Sequence, residues 1–428
     1  METNVKIALE KQNPWWFDQE LESGLPRLKY YPNIFKFIKT KEILLLLGVR
    51  RSGKSTLVYQ IINELKANPE SILFINLDEP LFQSKKEDPE FLRNLIEEYI
   101  LQHKNIKNFY VLIDEIQNHD YWVQTLKVLY DTTKNIKFIL TGSTSTLIES
   151  TISTKLSGRY FSNTIYPLSF KEFLDFNKVK KIKTLEKKAY FDQYLRFGAF
   201  PRVVLEKDES IKTEILKKYF QTIYLKDIIY THKIRNNQDV FDLLYFTLSN
   251  TGKLLSYTKI ANLLKISSET VKEYLTYAQE AYLLFSINKF DYSLKKQLKN
   301  PKKIYCIDTG IINSLSFQFS QNKGRLLENL VFVNLRKKHD QIYYHRNGSE
   351  CDFVIKEGLK IKKAVQVTLS LKDFDVRKRE IKGLVEAMNV YKLKEGLIIT
   401  ENESETIKLE DKTIRVVPVY EWLEELNV

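Results

Sequence analysis

The chain has 428 residues, of which 43% are apolar and 13% aromatic, and it carries a net charge of +13. That length suits about two to four domains with ordinary hydrophobic cores, and only 13 Gly and 10 Pro exclude a collagen-like or extensively disordered chain. The positive charge favours a polyanionic partner, nucleic acid before an acidic membrane. Two cysteines, Cys306 and Cys351, stand far apart and outside any CxxC, which argues against a disulfide framework or a cysteine zinc site and fits a reducing cytoplasm. Met1 to Gln12 is polar and mixed in charge, unlike a signal peptide. The longest apolar run, Ile43–Leu47, is far too short to span a bilayer, so no membrane role is expected.

From about residue 42 to 167, short apolar runs alternate with helical patterns. Ile43–Leu47, Ile72–Leu77, Phe109–Ile113 and Ile136–Leu140 read as buried strands, with helices such as Lys54–Lys66 and Phe91–Leu101 between them. Such alternation predicts an α/β fold whose parallel sheet is covered on both faces. No fixed-period repeat is present.

The first strand runs into Gly48-Val-Arg-Arg-Ser-Gly-Lys-Ser55, a full match to G-x-x-x-x-G-K-[ST] between a buried strand and an amphipathic helix. Gly48 and Gly53 let the backbone wrap phosphates with its N–H groups pointing inward, and the helix start adds its positive dipole end. Lys54 is expected on the outer phosphates and Ser55 on Mg²⁺. Arg50, Arg51, Ser52 and Thr56 complete the expected nucleotide-binding set.

The strand Phe109–Ile113 ends in Asp114 and Glu115, delivering two carboxylates to the sheet edge where ligands bind in such folds. Asp114 is expected to hold Mg²⁺, largely through water, and Glu115 to deprotonate the attacking water. Downstream, Ser143, with Thr141 as the lesser choice, is expected near the γ-phosphate or the lytic water. Arg159 is expected as a charge-stabilising finger, acting in its own chain or on a neighbouring subunit.

The series GVRRSGKST, LIDEIQ, LTGSTSTL, LSGRY and YLRFGAFP (Tyr194–Pro201) resembles one prokaryotic family of AAA-type P-loop ATPases over essentially the whole chain. The resemblance implies ATP as the nucleotide, an AAA-type core followed by a large C-terminal region of poorly defined function, and a ring-forming homo-oligomer. The expected division is an ATPase core over 1–168, a helical lid over 169–250, a winged helix-turn-helix over 251–312 and a restriction-endonuclease-like α/β domain over 320–428.

Ser256–Lys265 and Glu269–Leu283 read as two short helices, the second capped by Ser268, followed by a strand–loop–strand to Ile307. That order resembles a winged helix. Between Gly252 and Lys303 ten Lys face three Glu and one Asp. Lys272 on the second helix, with Thr270 and Tyr274, and Lys295, Lys296, Lys302 and Lys303 in the wing are expected to contact DNA phosphates.

Beyond Arg325, a helix bearing Glu328, a strand opened by Asp352 and a strand bearing Gln366 and Thr368 resemble a restriction-endonuclease-like domain. Active members of that fold use a helix Glu, a strand Asp and an E-x-K pair on a divalent metal. Gln366 and Thr368 occupy the E-x-K positions, so a degenerate domain is expected, with Lys362 or Lys363 as the only nearby replacements for the missing lysine. His103, His119, His232, His339 and His345 form no cluster that reads as a zinc site or a triad.

The expectation is a cytoplasmic, Mg²⁺-dependent ATPase coupled to DNA. The alternatives are a nucleotide-gated switch that holds a protein partner through its C-terminal half and an ATP-dependent nuclease.

Overall fold

A computed structural model describes residues 2–133, 135–144, 156, 158–179, 184–315 and 323–426. The expected motif residues Ser145, Thr146, Leu147 and Ser157 lie outside these. The chain divides into two units, Met1–Ile165 with Glu280–Tyr282, and Tyr166–Gln279 with Leu283–Val428.

In the first unit, β1 (Ile43–Leu47), β2 (Ile72–Asn76), β3 (Phe109–Asp114), β4 (Ile136–Gly142) and β5 (Tyr160–Thr164) form one sheet in the order β2-β3-β4-β1-β5. Every pairing is parallel. β1 is buried along its whole length, as a continuous apolar run requires of a strand covered on both faces. Leu44, Leu46, Phe74, Leu112 and Ile139 pack with Leu57, Val58 and Ile61 of the helix Lys54–Glu64 in one core. The strand order places β4 between β3 and β1, so three strand ends lie side by side at the edge where the helices begin.

The polar N-terminus has a structural use. Asn13 is fully buried; its amide donates to the Phe74 carbonyl at 2.9 Å and its oxygen accepts from the Phe74 N–H at 2.7 Å. Gln12 accepts from Asn76 N–H at 2.8 Å, and Trp16 donates to Ile72 O at 2.9 Å. These side chains satisfy the outer edge of β2, which would otherwise invite pairing with another chain.

The second unit begins with helices, including Phe170–Phe176, Thr184–Phe197, Glu209–Thr222 and Asn237–Ser249, with a π-helical stretch at Ile223–Tyr230. The family-like stretch Tyr194–Pro201 wraps a buried carboxylate. Asp308 accepts from Ala199 N–H at 2.7 Å and from Gly310 N–H at 2.9 Å. Gly198 has φ +72°, and a Cβ there would lie 1.8 Å from Asp308 Oδ1, so only glycine fits.

β6 (Leu254–Leu255), β7 (Leu284–Ile287) and β8 (Lys302–Cys306) make a small antiparallel sheet in the order β6-β8-β7. Before β7 come the helices Tyr257–Leu264 and Ser268–Glu280. Ser267, one residue earlier than expected, is the cap: its hydroxyl accepts from Thr270 N–H at 3.0 Å. The expected wing loop contains a short helix, Leu294–Lys299.

The C-terminal part holds the helix Lys323–Arg336, then β9 (Ile342–Arg346), β10 (Glu350–Glu357), β11 (Lys360–Val367), the helix Phe374–Tyr391, β12 (Glu395–Thr400), β13 (Glu405–Leu409) and β14 (Lys412–Pro418). The strands form a mixed six-stranded sheet in the order β13-β14-β12-β11-β10-β9. The expected order of a helix bearing Glu328, a strand bearing Asp352 and a strand bearing Gln366 is present, within an antiparallel β9–β10–β11 meander that a helix joins to a parallel β12. Among the described residues, no helix is long and apolar enough to cross a membrane.

Candidate nucleotide site

The loop after β1 folds as its glycines dictate. Gly48 has φ +146°, and a Cβ there would lie 2.3 Å from the Ile165 carbonyl oxygen. Gly53, at φ +96°, turns the chain into the helix Lys54–Glu64. The loop backbone is braced from below by Arg27, whose buried guanidinium donates to Ser52 O at 2.9 Å and whose N–H bonds Gln60 at 3.1 Å. The buried Lys54 ammonium donates to Gly48 O at 3.0 Å and to Val49 O at 3.2 Å. These acceptors are neutral, and an ammonium binds an anionic oxygen more strongly than a carbonyl.

Asp114 and Glu115 leave the end of β3 beside this loop, and both are buried. Thr141 donates to Asp114, and its hydroxyl also accepts from Glu115 N–H at 3.0 Å; Ser55 stands close enough to Asp114 to act on its carboxyl. Burial, followed by the adjacent Glu115 charge, raises the Asp114 carboxyl to about 6. Burial acts on Glu115 in the same direction, but Lys54 and then Arg50 outweigh it and hold this carboxyl below its ordinary value. The Arg50 guanidinium lies 3.7 Å from Glu115 and 3.9 Å from Asp78. Glu115 itself has φ +55°, a left-handed conformation uncommon for a non-glycine residue and costing of order 1 kcal/mol or more.

Gln117, which the sequence reading did not single out, bridges two of the expected site residues. Its amide nitrogen donates both to Glu115 Oε2 and, at 3.1 Å, to Ser143 Oγ, joining the ends of β3 and β4. It stands in the LIDEIQ run, but nothing in its type or spacing marks it out. Ser143 is therefore tied to Glu115 through Gln117, whereas Thr141 serves Asp114. Two polar atoms, Ser52 Oγ and Gln117 Oε1, are buried without a hydrogen-bond partner, as suits a site that closes around a polar ligand. Arg51 is exposed at φ +70°, and Thr56 is half-buried in the first turn of the helix.

Arg159 is not a finger for its own chain's site. β5 runs parallel to β1 with Tyr160 opposite Ile43 and Thr164 opposite Leu47. Arg159 thus lies at the other end of the strands, about 17 Å from the loop that follows Leu47. There it pairs with Asp131 and lies over the Tyr130 ring at 5.1 Å.

The expected DNA-contact lysines divide. Lys272, Lys295 and Lys296 are exposed, and Lys302 is half-buried close enough to Lys272 for burial and that charge to lower its pKa. Lys303 contradicts the expectation. Alternation along β8 turns it inward, it is 2% exposed, and three carboxylates surround it.

Those carboxylates belong to Glu328, Asp352 and Glu350. The structure therefore brings the expected Glu328 and Asp352 together, but around a lysine from outside the C-terminal sheet. Gln366 lies next to them, and Thr368 bonds Ser370 O at 3.3 Å. Lys362 and Lys363 are exposed, with Lys363 paired to Glu357 at 3.5 Å, so neither replaces the missing lysine.

Residues 40–174 match the family model of an AAA domain, and residues 188–322 match that of a domain of unknown function. An uncharacterized protein of Methanocaldococcus jannaschii is 38% identical over 410 residues, covering 90% of this chain and 89% of the relative. An uncharacterized protein of Haemophilus influenzae is 30% identical over 411 residues, covering 93% of this chain and 98% of the relative. Among solved structures, AMPPCP-bound DnaA from Aquifex aeolicus aligns with 59% of this chain and 88% of its own, at 13% identity and a TM-score of 0.30, a likeness too slight to place any residue.

Proposed function

This chain belongs to a prokaryotic family of AAA-domain proteins, and on that footing we propose that it is a Mg²⁺-dependent ATPase whose ATP binding and hydrolysis alter its grip on nucleic acid, foremost DNA. The observation that carries the ATPase reading is the convergence of Lys54, Ser55, Asp114 and Glu115 at the ends of β1 and β3, which flank β4. Lys54 exchanges its two loop carbonyls for phosphate oxygens. Ser55 and Asp114, which stand close together, are the oxygens that would hold a magnesium ion, which would supply charge neutralisation at the phosphates when bound. Glu115, held ionised by Lys54 and Arg50, takes the proton of the attacking water, and Gln117 fixes its carboxylate against Ser143. Arg159, at the far strand end, serves a neighbouring subunit's nucleotide in a homo-oligomer.

The nucleic-acid side of the reading is supported by Lys272 and Lys302 lying within electrostatic reach of each other, and by exposed Lys295, Lys296 and Lys299 on one short helix. A cluster of this kind binds phosphate with strong salt dependence. The same helix leaves Leu294 67% and Leu298 63% exposed. That apolar pair favours a second reading, a nucleotide-gated switch that holds a protein partner there.

Steady-state ATP hydrolysis with Mg²⁺, with and without single-stranded, duplex and branched DNA at two salt concentrations, tests the proposal. Stimulation by one DNA form that fades with salt supports it. Slow turnover indifferent to every DNA favours the switch.

A further inference from the structure

A cleft of about 1020 Å³ opens in the second unit, lined among others by Glu328, Arg346, Glu350, Asp352, Gln366 and Arg379. Resemblance to restriction-endonuclease-like domains implies a divalent metal at its floor, between Glu328, Asp352 and position 366. The side chains present do not fit one.

The Lys303 ammonium stands where the carboxylates converge, 3.1 Å from Glu328 Oε1, 3.0 Å from Asp352 Oδ1 and 2.7 Å from Glu350 Oε1. Two of these carboxylates are held further: Asp352 Oδ2 accepts from Val367 N–H at 3.0 Å, and Glu328 Oε1, the oxygen that faces Lys303, also accepts from the Tyr305 hydroxyl at 2.7 Å. The Gln366 oxygen accepts from Asp352 N–H at 3.1 Å, while its nitrogen donates to Glu380. Among the described residues, no three acid, imidazole or thiol groups are arranged to hold a metal ion.

We propose that Lys303 is a built-in cation that takes the place of the divalent metal, so that this cleft binds no metal ion and cuts no phosphodiester. A dication placed among these carboxylates would meet a fixed ammonium at contact distance, a repulsion that low-dielectric surroundings strengthen. The lysine cannot easily step aside by losing its proton. Burial pulls its pKa down, but the Asp352, Glu328 and Glu350 carboxylates more than offset that and keep it charged. Nor can it swing out, because β8 pairs on both sides, with Leu254 and with Ile287 opposite Lys303. The arrangement also uses Gly252, where a Cβ would lie 3.0 Å from Glu328 Oε2. A lysine of the small β6-β8-β7 sheet thus closes the site of the six-stranded one. The inference stands whether or not DNA stimulates ATP turnover.

Titration of the full-length Asp114→Asn chain with Mn²⁺, followed by the electron spin resonance of free Mn²⁺ and by thermal unfolding, tests this without interference from the nucleotide site. The expected result is no bound Mn²⁺ and no change in Tm. Adding Lys303→Met should create a Mn²⁺ site that raises Tm by several degrees, and adding Asp352→Asn should abolish it again. Mn²⁺ bound by the chain that retains Lys303, and lost on Asp352→Asn, would overturn the proposal and make Lys303 a lysine that works beside a metal. Should Lys303→Met not fold, the titration of the chain with Lys303 in place still decides between these outcomes, with Lys303→Arg as a folded, cation-retaining control.

Discussion

Two places in this molecule combine a buried lysine with buried carboxylates, and they differ in what holds the lysine. At the nucleotide site, Lys54 donates to the carbonyls of Gly48 and Val49 while Asp114 and Glu115 stand at the end of β3, one strand beyond β4. In the C-terminal cleft, Lys303 rests on the carboxylates themselves. A carbonyl holds an ammonium more weakly than an anion does, so the two carbonyl contacts of Lys54 can be exchanged with gain, whereas an ammonium already shared among three carboxylates has nothing to gain. Residue type therefore says little about whether such a site is open to a ligand. The partners of the cation decide it.

The comparison breaks most visibly through stability. Lys303→Ala leaves buried carboxylates without a counter-charge and should cost about 3–5 kcal/mol in chemical denaturation. Lys303→Ala combined with Asp352→Asn should recover part of that loss. Equal losses in the single and double variants would mean the pairing is not what makes the site rigid.

At the other site, the sign follows from the Asp114 carboxyl. Its pKa rises on folding from 3.8 to about 6, so its contribution to stability is full below the unfolded value and is lost as pH rises through about 6. The nucleotide-free Asp114→Asn chain should therefore outlast the wild type near pH 8, by at most about 3 kcal/mol. The gap should close below about pH 4. Denaturation across that range checks this, and a gap independent of pH would contradict the assignment.

Smaller effects sharpen the picture. Gln117→Ala should lower kcat about tenfold with little change in nucleotide affinity, because it loosens the Glu115 carboxylate and not the phosphate loop. Replacing Lys295 and Lys296 by Gln should reduce the salt slope of DNA binding by about 2, the value for two lost phosphate contacts. An unchanged slope would move the contact surface elsewhere.

The phosphate loop and the acid pair were legible in the sequence because their chemistry is local. Gly48, Gly53, Lys54 and Ser55 sit in one turn, and Asp114 and Glu115 end one apolar run. Four strands of the parallel sheet, β1 to β4, were legible because burial on both faces makes each a continuous apolar block, whereas β5 is a polar, partly exposed edge strand. The hairpin of β13 and β14 was not, since Glu405–Leu409 alternates polar and apolar residues too briefly to stand out. Lys303 was misread for a different reason. It belongs to a lysine-rich run, and its meaning comes from Glu328 and Asp352, 25 and 49 residues away in sequence. Only the β8 pairing shows that Lys302 and Lys303 point to opposite faces. Arg159 shows the same limit, since its strand was not anticipated and its distance from Lys54 follows from the β1–β5 register.

The most direct test of the central claim is ATP hydrolysis by the wild type, Lys54→Ala and Glu115→Gln at saturating Mg²⁺ and ATP, with nucleotide binding measured on the same samples. The wild type is expected to turn over, Lys54→Ala to lose turnover with nucleotide affinity, and Glu115→Gln to keep binding while turnover falls by about 10²–10⁴-fold. Turnover in Glu115→Gln equal to that of the wild type would contradict the account.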